Sequence, residues 1–308
     1  MTVRCVGLAM LLAAPSTGAA EVEQPSVPLL GSRQSGALAA AADGRALPTD
    51  VAVADDGRAY VVEGGLQRVA AYDAGGRRIG TFGTPSSEDQ GLKDPVGIGV
   101  GPDGTVYVAD RGNSRLVVFS SAGKFQSALP LQSDGGRVAP VDVAVGRNGL
   151  LYVTCSDHRV RIMDKAGGTR ASWGGPGAEE GSFSYPATVA IDEDGSVYVV
   201  DVLNARVQKF DADGGFLRAF GKLGATPGSL YRPKGIAVGR DQVFVSDSYL
   251  GVVQVFDPDG SFRQVLGEAG RVRRWTTPVG LALDGRGRLL VTEMLPGTVS
   301  LTEVGGSP

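Results

Sequence analysis

The chain has 308 residues, 42% hydrophobic and 20% charged, with a formal net charge of −3. That is the balance of a soluble globular protein with room for one large or two small domains. Thirty basic against 33 acidic residues leave no broad positive surface, which argues against nucleic acid as a partner. Forty-seven glycines against ten phenylalanines and two tryptophans favour many short strands over long helices.

The N-terminus carries the marks of an export signal. Arg4 supplies a minimal positive start, Val6 to Ala14 is apolar and uncharged, and Pro15 ends that run. Gly18-Ala19-Ala20 offers small residues for cleavage before Glu21. Residues 1–20 are thus expected to be a signal peptide, and residues 21–308 a single domain in the periplasm or outside the cell. The apolar run is too short to cross a bilayer, and no later stretch approaches roughly 20 apolar residues, so no membrane span is expected. Cys5 precedes the apolar run, which leaves Cys155 as the lone thiol after processing. An internal disulfide is then impossible, and the fold must rest on its core.

Further along, the chain repeats itself. Pro48, Pro95, Pro140, Pro186, Pro233 and Pro278 follow one another at intervals of 47, 45, 46, 47 and 45 residues. Each opens an alternating apolar segment: "PTDVAV", "PVGIGV", "PVDVAV", "PATVAI", "PKGIAV", "PVGLAL". A turn follows, with Asp-Gly, Asn-Gly or Arg-Gly in five copies and a shortened "GRDQ" in the fifth repeat. Asn-Gly or Asp-Gly between alternating runs signals a hairpin. A third strand comes next, as in "RLVVFSSAG", and a fourth ends at Phe82, Trp173, Phe220 or Leu266 before glycine. Four short antiparallel strands in about 46 residues is the period of a propeller blade. The expected fold is therefore all-β, a six-bladed β-propeller with blades starting near residues 48, 95, 140, 186, 233 and 278.

The sixth repeat has three strands and then stops at Pro308. In four complete repeats the glycine ending strand four precedes the next proline by 11 or 12 residues, and Gly36 precedes Pro48 by 12. Residues 28–36 are thus expected to supply the missing outer strand and close the last blade.

The succession of Pro, "GIAV", Asp-Gly, "YVAD", Asn-x-Arg, "VFD", Gly and Phe-Gly resembles the NHL repeat family, most clearly over residues 95–132 and 186–224. The resemblance covers about residues 48–304. It implies a six-bladed propeller of secreted bacterial type. It implies little about function, since such rings host binding modules, scaffolds and enzymes alike.

Three acid–base pairs recur five residues apart: Glu63 with Arg68, Asp110 with Arg115, and Asp201 with Arg206. A pair repeated in several blades fits a structural clamp across the loop between the second and third strands. Asp247 and Glu293 hold the acid position with Val252 and Thr298 in place of the arginine. Near them "GEAGRVRRWTTP" brings Arg271, Arg273, Arg274 and Trp275. Two readings stand: these arginines replace the lost partners, or they form a polar binding site. Where one loop reads "DRGNSR", others read "DVLNAR", "DSYLGV", "EMLPGT" and "EGGLQR". Val202, Leu203, Tyr249, Leu250, Met294, Leu295 and Leu66 would form an apolar arc over adjacent blades. An exposed arc of that kind marks a protein-binding surface.

Asp50 and Asp142 sit two residues after their prolines, where most repeats have glycine. Two carboxylates at a channel mouth are candidate ligands for Ca²⁺, or hydrogen-bond acceptors for backbone beside them. Beyond that possible Ca²⁺, no cofactor is expected. His158 is the single histidine, too few for a zinc site, and Ser156, Asp157 and His158 are too close in sequence for triad geometry. The favoured expectation is an exported scaffold that binds a protein or another envelope ligand on its long-loop face. The alternative is a Ca²⁺-dependent, lactonase-like or lyase-like enzyme at the channel mouth.

Overall fold

The structure, a computed structural model, describes residues 29–38, 44–86, 89–133 and 135–304. The expected signal peptide at 1–20 lies outside them. The architecture is all-β. Among the described residues the helices are two single 3₁₀ turns, Gly64–Leu66 and Arg111–Asn113. None is long and apolar enough to cross a membrane.

Each proline-initiated segment forms the first strand of a repeat: Pro48–Val53, Pro95–Val100, Pro140–Val145, Pro186–Ile191, Pro233–Val238 and Pro278–Leu283. Proline suits the first position of a strand because its missing N–H interrupts no ladder there. The second strand pairs antiparallel with the first after a tight turn. In the second repeat, Gly104 N–H bonds Gly101 O at φ +77°, a backbone region that glycine enters without strain. The fifth repeat, lacking that glycine, closes its turn with Gly239 N–H on Gln242 O. Second strands of repeats one to five are buried along their whole length, as at Val106–Asp110 and Val197–Asp201. Outer strands are largely exposed, as at Arg78–Phe82.

Repeats one to four each form a separate four-stranded antiparallel sheet. The six first strands lie innermost and contact their neighbours in order, with Pro278–Leu283 touching Pro48–Val53 to complete the circuit. This is a propeller arrangement. Apolar side chains fill the spaces between successive sheets. Leu116, Leu129, Val143 and Val153 pack together between repeats two and three, and Val51, Val61, Leu290 and Leu301 between six and one. Tyrosines of second strands reach across the same interfaces. The hydroxyls of Tyr60 and Tyr152 donate to Ser121 O (2.8 Å) and Ala212 O (2.9 Å) in the next repeat's outer turn.

Repeats five and six share one nine-stranded sheet. Strand Leu29–Leu38 joins them. It pairs antiparallel with Thr298–Val304, from Ser32 opposite Val304 to Leu38 opposite Val299. Its other edge pairs in parallel with Phe262–Glu268, Leu29 to Gly31 lying opposite Val265 to Gly267. Repeat spacing points to the first pairing and is silent on the second, so the expectation of six separate sheets is corrected here. An added outer strand has two edges, and the backbone groups of the free one find partners in the adjacent repeat.

Candidate functional site

Pro186 pairs with Asp201, Pro233 with Asp247, and Pro278 with Glu293. The loops that follow the second strands therefore share one face with the starts of the inner strands.

On this face the recurrent acids are buried and bonded. Asp110 accepts from Arg115 Nε (2.7 Å), Asn113 Nδ2 (2.8 Å) and the Lys93 N–H (2.7 Å). Arg115 then donates from Nη2 to Gly91 O at 2.7 Å. Asp201 repeats the pattern with Arg206 Nε (2.9 Å), Asn204 Nδ2 (2.8 Å) and the Ser184 N–H (2.7 Å). Glu63 takes Arg68 Nε at 2.6 Å and, in addition, Arg78 Nη2 at 2.9 Å. Asp110 and Asp201 thus fix their own loops to the segment that enters the same repeat, whereas Glu63 ties its loop to the outer strand through Arg78. Gln208 and Gln254 add to this: their amides bond both Gly181 N–H and Ser182 O, and both Gly228 N–H and Ser229 O. Pair-spacing in the sequence gives no sign of these glutamines, because their partners are backbone groups of another segment.

Asp247, which lacks an arginine, is satisfied by backbone alone. It accepts from the N–H groups of Tyr231 (2.6 Å), Arg232 (3.1 Å), Tyr249 (3.1 Å) and Leu250 (2.9 Å). Glu293 accepts the Thr276 N–H at 2.9 Å. The nearby arginines have other partners. Arg274 donates to Leu250 O. Arg273 is buried, bonds Gln34 Oε1 at 3.2 Å and lies 4.7 Å from the Trp275 ring centroid. Burial pushes its guanidinium down, with Glu268 and Glu293 partly opposing that shift. Trp275 is buried too, its Nε1 donating to Ser300 Oγ at 3.3 Å. Arg273 and Trp275 are therefore packed inside and are not available to a partner on this face. Of the residues singled out in this segment, Arg271 and Arg274 are exposed.

The expected apolar arc is partly present. Leu203, Tyr249 and Leu295 are 69%, 65% and 64% exposed. Leu66, Leu250 and Met294 are half-buried. Val202 is buried against the core between repeats four and five and does not join the arc. Tyr231, outside the expected set, stacks on Tyr249 with ring centroids 4.1 Å apart and an interplanar angle of 21°. Both rings are exposed.

The channel opens at the centre of the same face into a cavity of about 390 Å³. The residue after each proline forms its collar: Thr49, Val96, Val141, Ala187, Lys234 and Val279. One residue further on stand Asp50, Gly97, Asp142, Thr188, Gly235 and Gly280. Asp50 Oδ2 accepts the Ile98 N–H at 3.0 Å, and Asp142 Oδ2 accepts the Val189 N–H at 2.9 Å. Each acid so ties its own inner strand to the next. A side chain at Gly97 or Gly280 would collide with Asp142 or Asp50, which explains the small residues beside them.

The two carboxyls interact. Burial first, and then the charge of Asp142, push Asp50 well above the usual carboxylate range. Burial pushes Asp142 up to about 6. Asp142 Oδ1 is buried without an ordinary donor. A proton shared between the carboxyls would supply that donor and remove one of two like charges. Among the described residues no three His, Cys, Asp or Glu side chains converge. A Ca²⁺ here would have to draw most of its six to eight oxygens from main chain and water.

His158 is used locally. Its Nδ1 accepts the Tyr185 N–H at 3.2 Å, while Asp157 pairs with Arg161 at 2.6 Å and Ser156 Oγ accepts the Ala139 N–H at 3.2 Å. These three neighbours bond to separate partners and form no relay. Cys155 is buried, and that burial pushes its thiol up to about 12, far from a thiolate at neutral pH.

At the opposite mouth, a second cavity of about 510 Å³ is lined by Asp55, Arg147, Asp192, Glu193 and Arg240, among others. There Glu193 lies 3.7 Å from both Arg147 and Arg240.

A closed circuit of inner strands, outer sheets and loop-lined mouths defines a β-propeller. Residues 92–119 and 183–210, within repeats two and four, match the family model for the NHL repeat, so the propeller carries NHL repeats. It is similar to RING finger protein nhl-1 of Caenorhabditis elegans, 40% identical over 81 residues, 26% of this chain and 8% of that protein. It is also similar to Protein brain tumor of Drosophila melanogaster, 32% identical over 94 residues, 30% of this chain and 9% of that protein. The matches span less than a tenth of either curated relative. Among solved structures, a streptogramin B lyase superposes with a TM-score of 0.65 at 13% identity, over 89% of this chain and 98% of that one. At that identity the likeness concerns the fold.

Proposed function

We propose that this protein is an exported, six-bladed NHL propeller that binds a protein partner on the face carrying the loops after the second strands. The count of six treats the nine-stranded sheet as two blades joined by Leu29–Leu38, and the circuit of six inner strands supports it. Export rests on the charge, apolar run and small residues of positions 1–20. The observation that carries the binding reading is the exposure of Leu203, Tyr249 and Leu295 on equivalent loops of consecutive repeats. Large apolar side chains held in water at neighbouring sites favour a partner that covers them. The stacked Tyr231 and Tyr249 supply aromatic area with little rotamer freedom to lose.

The test is crosslinking of the native protein in its compartment, then recovery with and without Tyr249→Asp plus Leu295→Asp. Both side chains are mostly exposed, so the double variant is expected to fold and to lose its partner by at least about tenfold. Equal recovery by the variant overturns the docking surface. A protein that stays in the cytoplasm overturns export.

A further inference from the structure

The collar of the channel mouth has a feature that docking on the outer loops does not use. Four of its side chains, Val96, Val141, Ala187 and Val279, are apolar, and the two exceptions are Lys234 and Thr49. Lys234 is half-buried, and among the described residues no carboxylate lies within ion-pair distance of it. Its ammonium stands 5.7 Å from the centroid of the Tyr185 ring. Burial first, and the charge of Arg232 second, push that ammonium down. Thr49 Oγ1 is buried with no hydrogen-bond partner. The arrangement is unlike that at the opposite mouth, where Glu193 lies between two arginines.

An unpaired, partly desolvated cation is stabilised by any anion that reaches it. The cavity of about 390 Å³ has the size of a small-molecule site, and its lining also holds Asp94 and Arg111, which are paired with each other at 2.7 Å and so leave Lys234 as the cation without a carboxylate partner among its described lining residues. Polarity is also layered. Beneath the collar stand the carboxyls of Asp50 and Asp142, which disfavour a further anion beside them. An anionic ligand is therefore held at Lys234 and not deeper.

We propose that this mouth binds a small organic carboxylate with an apolar body. The carboxylate pairs with Lys234 and the body lies against the collar valines. The proposal stands independently of the protein-docking surface.

The experiment is titration calorimetry of the mature protein with 4-hydroxyphenylacetate, 4-aminobenzoate and 3-hydroxybutyrate, each beside its uncharged amide. At least one acid is expected to bind, and its amide to bind at least about tenfold more weakly, the loss expected for a hydrogen bond to a charged group. Lys234→Gln is expected to lose the same factor, Lys234→Arg to retain most of it. No binding by any acid, equal binding of acid and amide, or undiminished binding by folded Lys234→Gln overturns the proposal. The acid–amide comparison uses the unaltered protein, so it decides even if a variant fails to fold. Because Tyr249 and Leu295 lie outside this cavity's lining, Tyr249→Asp plus Leu295→Asp should leave carboxylate binding unchanged, which separates the two sites.

Discussion

Asp110 and Asp247 hold equivalent positions and meet the same need by different means. Asp110 has a guanidinium, a side-chain amide and one backbone N–H, whereas Asp247 has four backbone N–H groups. The Asp110 carboxyl is fully buried and Arg115 nearly so. Removing one member of a buried pair strands the other, at a cost of about 3–5 kcal/mol. Arg115→Met should therefore destabilise by about 3 kcal/mol, and the double variant Asp110→Leu/Arg115→Met by less than the single one. Urea denaturation of the four proteins in that cycle measures this, and an additive cycle would count against the clamp. The pair was legible because its members lie five residues apart in one loop. Arg78 on Glu63 and Gln208 on Gly181 were not, since they act across 15 and 27 residues, the second of them on a backbone N–H that carries no side-chain signature. The burial of Trp275 and Arg273 was equally hidden: "RVRRW" reads as exposed and charged until the Gln34 side chain arrives from the far end of the chain.

At the scale of elements, strand Leu29–Leu38 does more than complete a sheet. It carries an antiparallel ladder to Thr298–Val304 and a parallel one to Phe262–Glu268, and Ser32 Oγ donates to Gly267 O at 2.8 Å. Its end, Leu38, is buried between the last repeat and the first. Proline within a paired strand removes a ladder bond and clashes with its neighbour, at about 3 kcal/mol or more if the helix penalty is a guide. Ala37→Pro, opposite Ser300, should lower the thermal midpoint well beyond a surface change such as Lys124→Ala on an exposed outer turn. Equal midpoints for the two variants would show that the strand is dispensable. The antiparallel half of this join could be inferred from the spacing of Gly36 and Pro48. The parallel half could not, because a three-residue pairing leaves no periodic trace in a strand this short.

At the scale of the whole molecule, Asp50 and Asp142 tie four inner strands together in two pairs. Their bonds run from repeat one to two and from three to four. A carboxyl whose folded pKa is raised stays protonated where the unfolded chain has already ionised. The native state then holds more protons than the unfolded one, so this contribution is greatest below the ordinary carboxylate range. It is lost as pH rises through about 6 for Asp142 and further for Asp50. Asp50→Asn keeps an acceptor for Ile98 and offers a permanent amide donor to Asp142. The variant should match or exceed the parent's thermal midpoint at pH 7, and the gap between them should narrow toward pH 4. Parallel midpoint curves from pH 4 to 8 would mean that no proton is held there.

The closing strand also has a topological consequence. Val304 lies directly opposite Ser32, so the described chain's two ends run side by side. A short loop joining them would turn that ladder into an ordinary hairpin, and the backbone could instead be cut at an outer turn such as Ser121–Lys124. A circularly permuted protein of that kind would begin in the middle of today's sequence and still close the same circle.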